Sequence, residues 1–327
     1  MSLLKRWVQV DLWRSIQSDA AIMKTSSIEM IDEMGDFTGF ASDVKLIYSG
    51  EFTIKVATTE ENVTDNYLSS DDVINVYISG IDSRGGINEV SRSDVNIIMS
   101  INKKTHNILM INTPRDYYVP LSISNGVRDK LTHAGVYGIE CSRNTLEMLY
   151  GIQIDYYVKV NFSGFEKIID SLGGVDVTLD YSATLSQAGN LTVHNGVNHF
   201  NGEQALAFAR ERYAYSDGDR QRGRNQMMIM EAAIKKACSP AIISNYTSVL
   251  SEVSKNVITD MSYDFIADLA QTQLNDMAAW NITQISVTGV GSYSSTTYSM
   301  PGWSLYIMVP DEESVENARE QIRDNYN

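Results

Sequence analysis

Three apolar runs follow one another between Val73 and Asp116, VINVYISGID, DVNIIMSIN and NILMINTPRD, separated only by SRGGINEVSRS and KKTH. Runs this short, rich in Ile and Val and bounded by Gly, Asn and Asp, read as consecutive strands. Their order has a geometric consequence. A chain that leaves the sheet at Gly80, returns at Asp94, turns at Lys103 and comes back at Thr113 brings Asp82, Asp94 and Arg115 to one edge. Arg84 and Arg92 sit in the connecting loop beside them. Pro114 marks the end of the third strand, because it has no amide to give to a ladder.

Beyond this core, strand-like and helix-like stretches alternate. A helix is expected from about His133 to Tyr150, a strand over IDYYVKVN, a helix over FSGFEKIIDSLGG ending on Gly173 and Gly174, and a strand over VDVTLD. A less regular stretch, YSATLSQAGNLTVHNGVNHFNG, follows. Ser239 to Asn256 and Tyr263 to Leu274 read as helices, ITQISVTG and SLYIMVP as strands, and DEESVENAREQIRDN as a closing helix with acid at its start. Such alternation specifies an α/β fold, a three-layer α-β-α sandwich around a mixed central sheet. Residues 8 to 40 read instead as two helical stretches, and VKLIY with EFTIKV as a strand pair. The division is therefore a partial N-terminal accessory domain over 1–60, a polar linker over 61–72 and the main domain over 73–327.

The second constraint is a concentration of charge. The stretch FARERYAYSDGDRQRGRNQ from Phe208 to Gln226 holds Arg210, Arg212, Arg220, Arg222 and Arg224 in a chain of 327 residues whose formal net charge is -15. Arg210 and Arg212 share a side only on extended backbone, so the helix over GEQALAFA ends near Ala209. Arg222 and Gln226 are four apart, on one stripe of a following helix that continues through Met230, Ala233, Ile234 and Ala237. Ser216, Asp217 and Asp219 are its candidate caps. The core-facing stripe thus begins polar, at the helix end where free amides and the dipole favour an anion.

Composition narrows the function. With 43% hydrophobic and 20% charged residues the chain is an ordinary globular one. Its acidic balance argues against a nucleic-acid partner, which would require a basic face. No apolar run is long enough to span a membrane, and MSLLKRWVQVDL is no signal peptide. Met1, Ser2 and Leu3 read as an added leader, so a natural segment is expected to precede them. Cys141 and Cys238 are too few for a paired zinc site.

Two carboxylates at one sheet edge repel unless they share a proton or a cation. Magnesium commonly takes one or two carboxylates and fills its remaining positions with water and phosphate oxygens, so Asp82 and Asp94 are candidate ligands. Arg92, Arg115, Arg210, Arg212 and Arg222 then suit a pyrophosphate, and the set points to phosphoryl transfer. Two alternatives stay open: a pair of loop carboxylates bonded to Arg84 and Arg92, and a solvated basic helix start. No phosphate loop, dinucleotide fingerprint or hydrolase triad is present.

GIDSR at 80–84, SRSDVNIIMSIN at 91–102, INTPRDYYVPL at 111–121, DYYVKVNFSGFEKIIDSLGGVDV at 155–177, FNGEQALAFARER and GDRQRGRNQ together resemble the LytR-CpsA-Psr family. The resemblance covers about Val73 to the C-terminus. It implies a phosphotransferase that moves an anionic glycopolymer, of the wall teichoic acid or capsular polysaccharide type, from a polyprenyl pyrophosphate carrier to peptidoglycan with Mg2+. A pyrophosphatase acting on the same carrier and an envelope regulatory protein are the alternatives. It further implies a location at the outer face of a Gram-positive cell membrane, tethered by a helix absent from this sequence. Asp82, Asp94 and Arg115 take the catalytic positions, Asp82 and Asp94 being the metal ligands. Arg84, Arg92, Arg115, Arg210, Arg212, Arg222 and Gln226 take the pyrophosphate. An apolar tunnel for the carrier's tail, opening near Arg115 and lined by the strands NIIMSI, ILMIN and YYVKV with the helices after Gly164 and Gln226, is expected. Cys141 and Cys238, on helices flanking one sheet of an extracellular protein, are expected to approach each other.

Overall fold

A computed structural model describes residues 27–32, 40–41, 52–57, 67–68, 70–82, 86–186, 190–215, 218–243 and 246–327. The chain divides into two compact units, Met1–Asn66 and Tyr67–Asn327. In the first, the strand Ser27–Asp32 pairs antiparallel with Phe40–Ala41 and with Phe52–Ala57. EFTIKV is thus a strand as expected, but SIEMID pairs with it in place of helix. Short apolar runs fit either period, and pairing decided this one. The VKLIY segment lies outside the described residues.

The second unit is built on a six-stranded sheet. Its strands in chain order are β1 (Val73–Ile81), β2 (Ser93–Asn102), β3 (Asn107–Asn112), β4 (Tyr156–Asn161), β5 (Val257–Thr259) and β6 (Asn281–Ser286). They lie side by side as β5-β4-β1-β2-β3-β6. The three consecutive strands pair antiparallel, whereas β4 joins β1 and β6 joins β3 in parallel. The sheet is therefore mixed.

Alternation along the strands sends side chains to two faces, each buried under helices. Tyr77, Ile98, Leu109 and Ile111 pack with Leu146 and Tyr150 of α2 (Ile139–Tyr150) and with Val315, Ala318 and Ile322 of the closing helix Glu312–Asn325. On the other face Ile78, Ile97 and Met110 meet Met227, Met230 and Ile234 of α5 (Gly218–Ala237). The expected α-β-α layering results.

Local signals set the helix ends. Asn161 caps α3 (Phe162–Ser171) through a bond from the Gly164 amide at 2.8 Å. Asn201 and Gln204 form a reciprocal capping box at the start of α4 (Gly202–Arg210). Three expectations need correction. The helix assigned from His133 is split: Leu131–Ala134, called α1, gives way to a tight turn, and Gly138 at φ 109° separates it from α2. The stretch read as irregular carries strands Ala183–Leu185, Leu191–Val193 and Gly196–Phe200, stabilised by burial against α4 and α5. The helix read to Asn256 stops at Val253: the stretch carries Pro240–Ile243 and Tyr246–Val253, and β5 follows.

The cysteines do not pair. Both are free thiols. Cys141 packs with Leu121 and Ala134 on the α2 side of the sheet, while Cys238 follows α5, which covers the opposite face. Flanking one sheet separates two residues when they flank it from opposite sides. Burial pushes both thiols above their ordinary pKa, which makes them sluggish. Thiol titration of the unfolded, unreduced protein is expected to count two.

Candidate active site

At the start of β2 the ladder slips. Gly80 pairs with Val95 and Ile81 with Ser93, so Asp94 is the extra residue of a β-bulge. A bulge re-aims the side chain it carries, and here it turns a carboxylate toward the sheet edge. Gly80 is required beside it, because an added Cβ would lie 2.8 Å from the Val95 side chain.

Asp94 is held on one oxygen. Arg115 approaches its Oδ1 at 3.1 Å, and the Thr132 hydroxyl of α1 donates to the same atom at 3.1 Å. Arg115 also lies 3.6 Å from Asp116, which in turn contacts Lys130. No contact is recorded at Asp94 Oδ2 among the described residues. That oxygen is open to a cation.

Two cavities meet at this point. The first, about 200 Å³, runs between the α5 face of the sheet and helices α3 to α5, lined by Ile78, Ile97, Phe162, Phe165, Ile229 and Met230 among others. Its polar end carries Asp82, Asp94, Arg210, Arg212, Arg222 and Gln226. The second, about 420 Å³, opens toward β3 and β6 and includes Thr113, Arg115, Arg220, Arg224, Ser286 and Thr288. Asp94, Arg222 and Gln226 border both.

Most residues singled out from sequence gather here, though not all. Arg115 belongs to the second cavity and not to the apolar first, so the apolar space reaches it only past Asp94. Among the expected strands, β2 and β4 line that space through Val95, Ile97 and Val160, whereas the ILMIN strand does not. Arg92 is exposed and lines neither cavity. Arg84 lies outside the described residues, as do the cap candidates Ser216 and Asp217.

One acidic residue inside the basic stretch shapes the arginine loop. Glu211 is fully buried, and its Oε1 accepts from the amides of Arg212, Tyr213 and Ala214 at 2.9, 2.7 and 3.2 Å. This acceptor folds the chain just past α4, so Arg210 and Arg212 face one cavity. Arg210 also lies over the Phe162 ring, 4.3 Å from its centroid. The polar start of α5 satisfies carbonyls of the last turn of α4: Asn225, fully buried, donates to Phe208 O at 3.0 Å, and Gln226 to Ala209 O at 3.5 Å. Thr132 had no signal, since LTHA reads as plain helix. Arg220 and Arg224 stood in the basic stretch without an assigned place.

A divalent cation fits this donor set in one respect. Two carboxylates reach the same cavity with one oxygen open, the few protein ligands magnesium usually takes beside phosphate. Among the described residues no group of three or more His, Cys, Asp or Glu side chains forms a full protein cage.

Known proteins place the fold and the family. The LytR_cpsA_psr family model matches residues 44–319. A polyisoprenyl-teichoic acid--peptidoglycan teichoic acid transferase TagU of Bacillus cereus is 34% identical over 197 residues, 59% of this chain and 62% of the relative. The TagU of Halalkalibacterium halodurans is 33% identical over 247 residues, 75% and 77%. The chain thus spans under two thirds of the length of several curated relatives it matches. Among solved structures, B. subtilis TagV superposes with a TM-score of 0.66 at 27% identity, covering 79% of this chain and 98% of that one. TagT bound to LI-WTA gives 0.62 at 26%, covering 78% and 91%. A family match across residues 44–319, most of the chain, shows that the chain belongs to the LytR_cpsA_psr family.

Proposed function

We propose that this protein is a phosphotransferase that moves an anionic glycopolymer from a polyprenyl pyrophosphate carrier to peptidoglycan. One observation carries the reading: an apolar cavity ends on Asp82, Asp94, Arg210, Arg212 and Arg222, so a lipid tail and a pyrophosphate head find complementary surroundings in one place. The names of the TagU relatives and of the TagT complex support the same chemistry.

The apolar walls take the tail, and the arginines bind the pyrophosphate oxygens. Gln226 borders the same head group. An acceptor hydroxyl then adds to the phosphorus that bears the glycan. The bond from that phosphorus to the bridging oxygen breaks, and the lipid monophosphate departs with the electron pair and, in the net reaction, the hydroxyl proton. Arg115 and Arg222, fixed before the reaction, face the charge that develops. Asp82 and Asp94 would hold magnesium, which supplies further positive charge against the pyrophosphate. The protein would work at the outer face of the cell membrane, where carrier and wall meet. No helix among the described residues is long and apolar enough to cross a membrane.

Titration calorimetry with a short-chain polyprenyl pyrophosphate glycan, paired with a transfer assay with and without magnesium, tests this reading. Arg115→Ala is expected to weaken donor binding about ten- to a hundredfold, since a charge-assisted contact is worth about 1.5–3 kcal/mol. Arg323→Ala is the control: this half-exposed arginine pairs with Glu316 on the closing helix. Arg319 is a poorer control than its sequence position implies, because it donates twice to Leu149 O and so caps α2. Transfer without magnesium would remove the metal, and a parent that binds no donor would remove the reading.

A further inference from the structure

The hairpin formed by Gly289–Ser294 and Leu305–Pro310 is unlike the rest of the chain. One residue in five of the protein is charged, yet Gly289 through Pro310 holds no Asp, Glu, Lys, Arg or His. Ser, Thr, Tyr and Gly dominate it instead, a composition suited to adaptable hydrogen bonding around rigid rings.

One face of this hairpin leads out of the second cavity. Gly289 and Met308 line that cavity. By the antiparallel register Gly291 pairs with Met308 and Tyr293 with Tyr306, so all of these share a face. The two glycines leave it flat. A Cβ at Gly291 would lie 2.8 Å from the Tyr306 hydroxyl and 3.1 Å from its ring, so that ring lies over the glycine. Tyr293 meets Tyr306 edge to face at 5.8 Å, and the two are 71% and 42% exposed.

Resting on the function proposed above, the position of this face along the sheet edge says which substrate uses it. The apolar cavity opens over β4, β1 and β2, Asp94 stands at the start of β2, and the second cavity opens over β3 and β6. Phosphoryl transfer places the entering and leaving oxygens roughly in line through phosphorus. With the lipid phosphate leaving toward the apolar side, the entering hydroxyl comes from the second cavity. We propose that the hairpin side of the second cavity, at Gly289 and Met308, and the Gly291–Tyr293–Tyr306 face are the acceptor site, on which a neutral stretch of glycan strand lies with its sugar rings against the tyrosines. The apolar C–H face of a pyranose suits an aromatic face, and its hydroxyls suit the Ser and Tyr hydroxyls around it. The anionic donor polymer gains nothing from an uncharged surface.

The test is equilibrium binding of a soluble peptidoglycan oligosaccharide to the full chain, beside donor titration with a short-chain polyprenyl pyrophosphate glycan. Tyr293→Leu/Tyr306→Leu is expected to weaken the oligosaccharide at least about tenfold while leaving the donor Kd unchanged; Tyr293→Trp and Tyr306→Phe, which keep a ring, stay near the parent. In the transfer assay the Leu pair raises the acceptor KM and spares the acceptor-free cleavage of donor. Unchanged oligosaccharide binding in the Leu pair overturns the proposal. So does a shift in donor Kd, which would give the face to the donor glycan, or a parent that sediments as a dimer where the Leu pair is a monomer, which would give the face to a second copy of the chain. Oligosaccharide binding by a parent that binds no polyprenyl pyrophosphate would overturn the proposed function and leave the glycan face standing.

Discussion

Asp94→Asn is expected to lower glycan transfer by about 10²–10³-fold, the loss typical when one preorganised electrostatic group is removed from a transition state. The fold should survive. Asn is the same size and keeps an oxygen for the Arg115 guanidinium and the Thr132 hydroxyl, both of which bond to Oδ1. The charge at the other oxygen is lost. A circular dichroism melt superimposable on the parent, together with a collapsed transfer rate, is the expected pair of results. Wild-type transfer by Asp94→Asn would take the carboxylate out of the chemistry and leave the arginines as a binding pocket alone.

The largest stability effect is expected at Asp129, a residue with no place in the chemistry. Its carboxylate is fully buried and accepts from the Lys130 amide at 2.7 Å, the Ser299 amide at 2.7 Å and His133 Nδ1 at 2.8 Å. Ser299 Oγ also lies 2.8 Å from His133 Nδ1. This bracket joins α1, which carries Thr132, to the tip of the uncharged hairpin. Asp129→Ala strands several buried donors at about 1–3 kcal/mol each, so a loss of about 3 kcal/mol or more is expected in urea unfolding. Activity should fall with it, because Thr132 loses its anchor. Burial alone would raise the Asp129 pKa, but the hydrogen bonds from His133, Ser299 and Lys130 outweigh it and the net shift is downward. A depressed carboxylate contributes stability that is present above the unfolded value of about 3.9 and is lost as pH falls through the folded one. The gap between parent and Asp129→Ala should therefore be full near pH 6 and shrink below about pH 4. A gap independent of pH would mean that packing, and not the carboxylate, holds the bracket.

What could be read from the sequence depended on how local the physics was. The β1 to β3 succession, the capped start of α4 and the stripe from Arg222 to Ile234 are written in period and punctuation, because a strand or helix buries one face whatever lies beyond it. The same local logic put Asp94 and Arg115 at one edge, since antiparallel neighbours must return their ends together. It failed where two stretches distant in sequence compete or cooperate. Nothing near Cys141 or Cys238 says on which side of the sheet its helix will pack. The bulge that turns Asp94 depends on how β1 registers against β2, and Glu211 becomes an anchor only when buried amides converge on it. Thr132 reaches Asp94 across 38 residues, and Ser299 reaches Asp129 across 170. The chain by itself determined most strands of the central sheet, most of its helices and the residues that carry charge. The order of strands, the two cavities on either side of Asp94 and the face that leads away from them were decided by tertiary packing, because each is a relation between segments that no local period encodes.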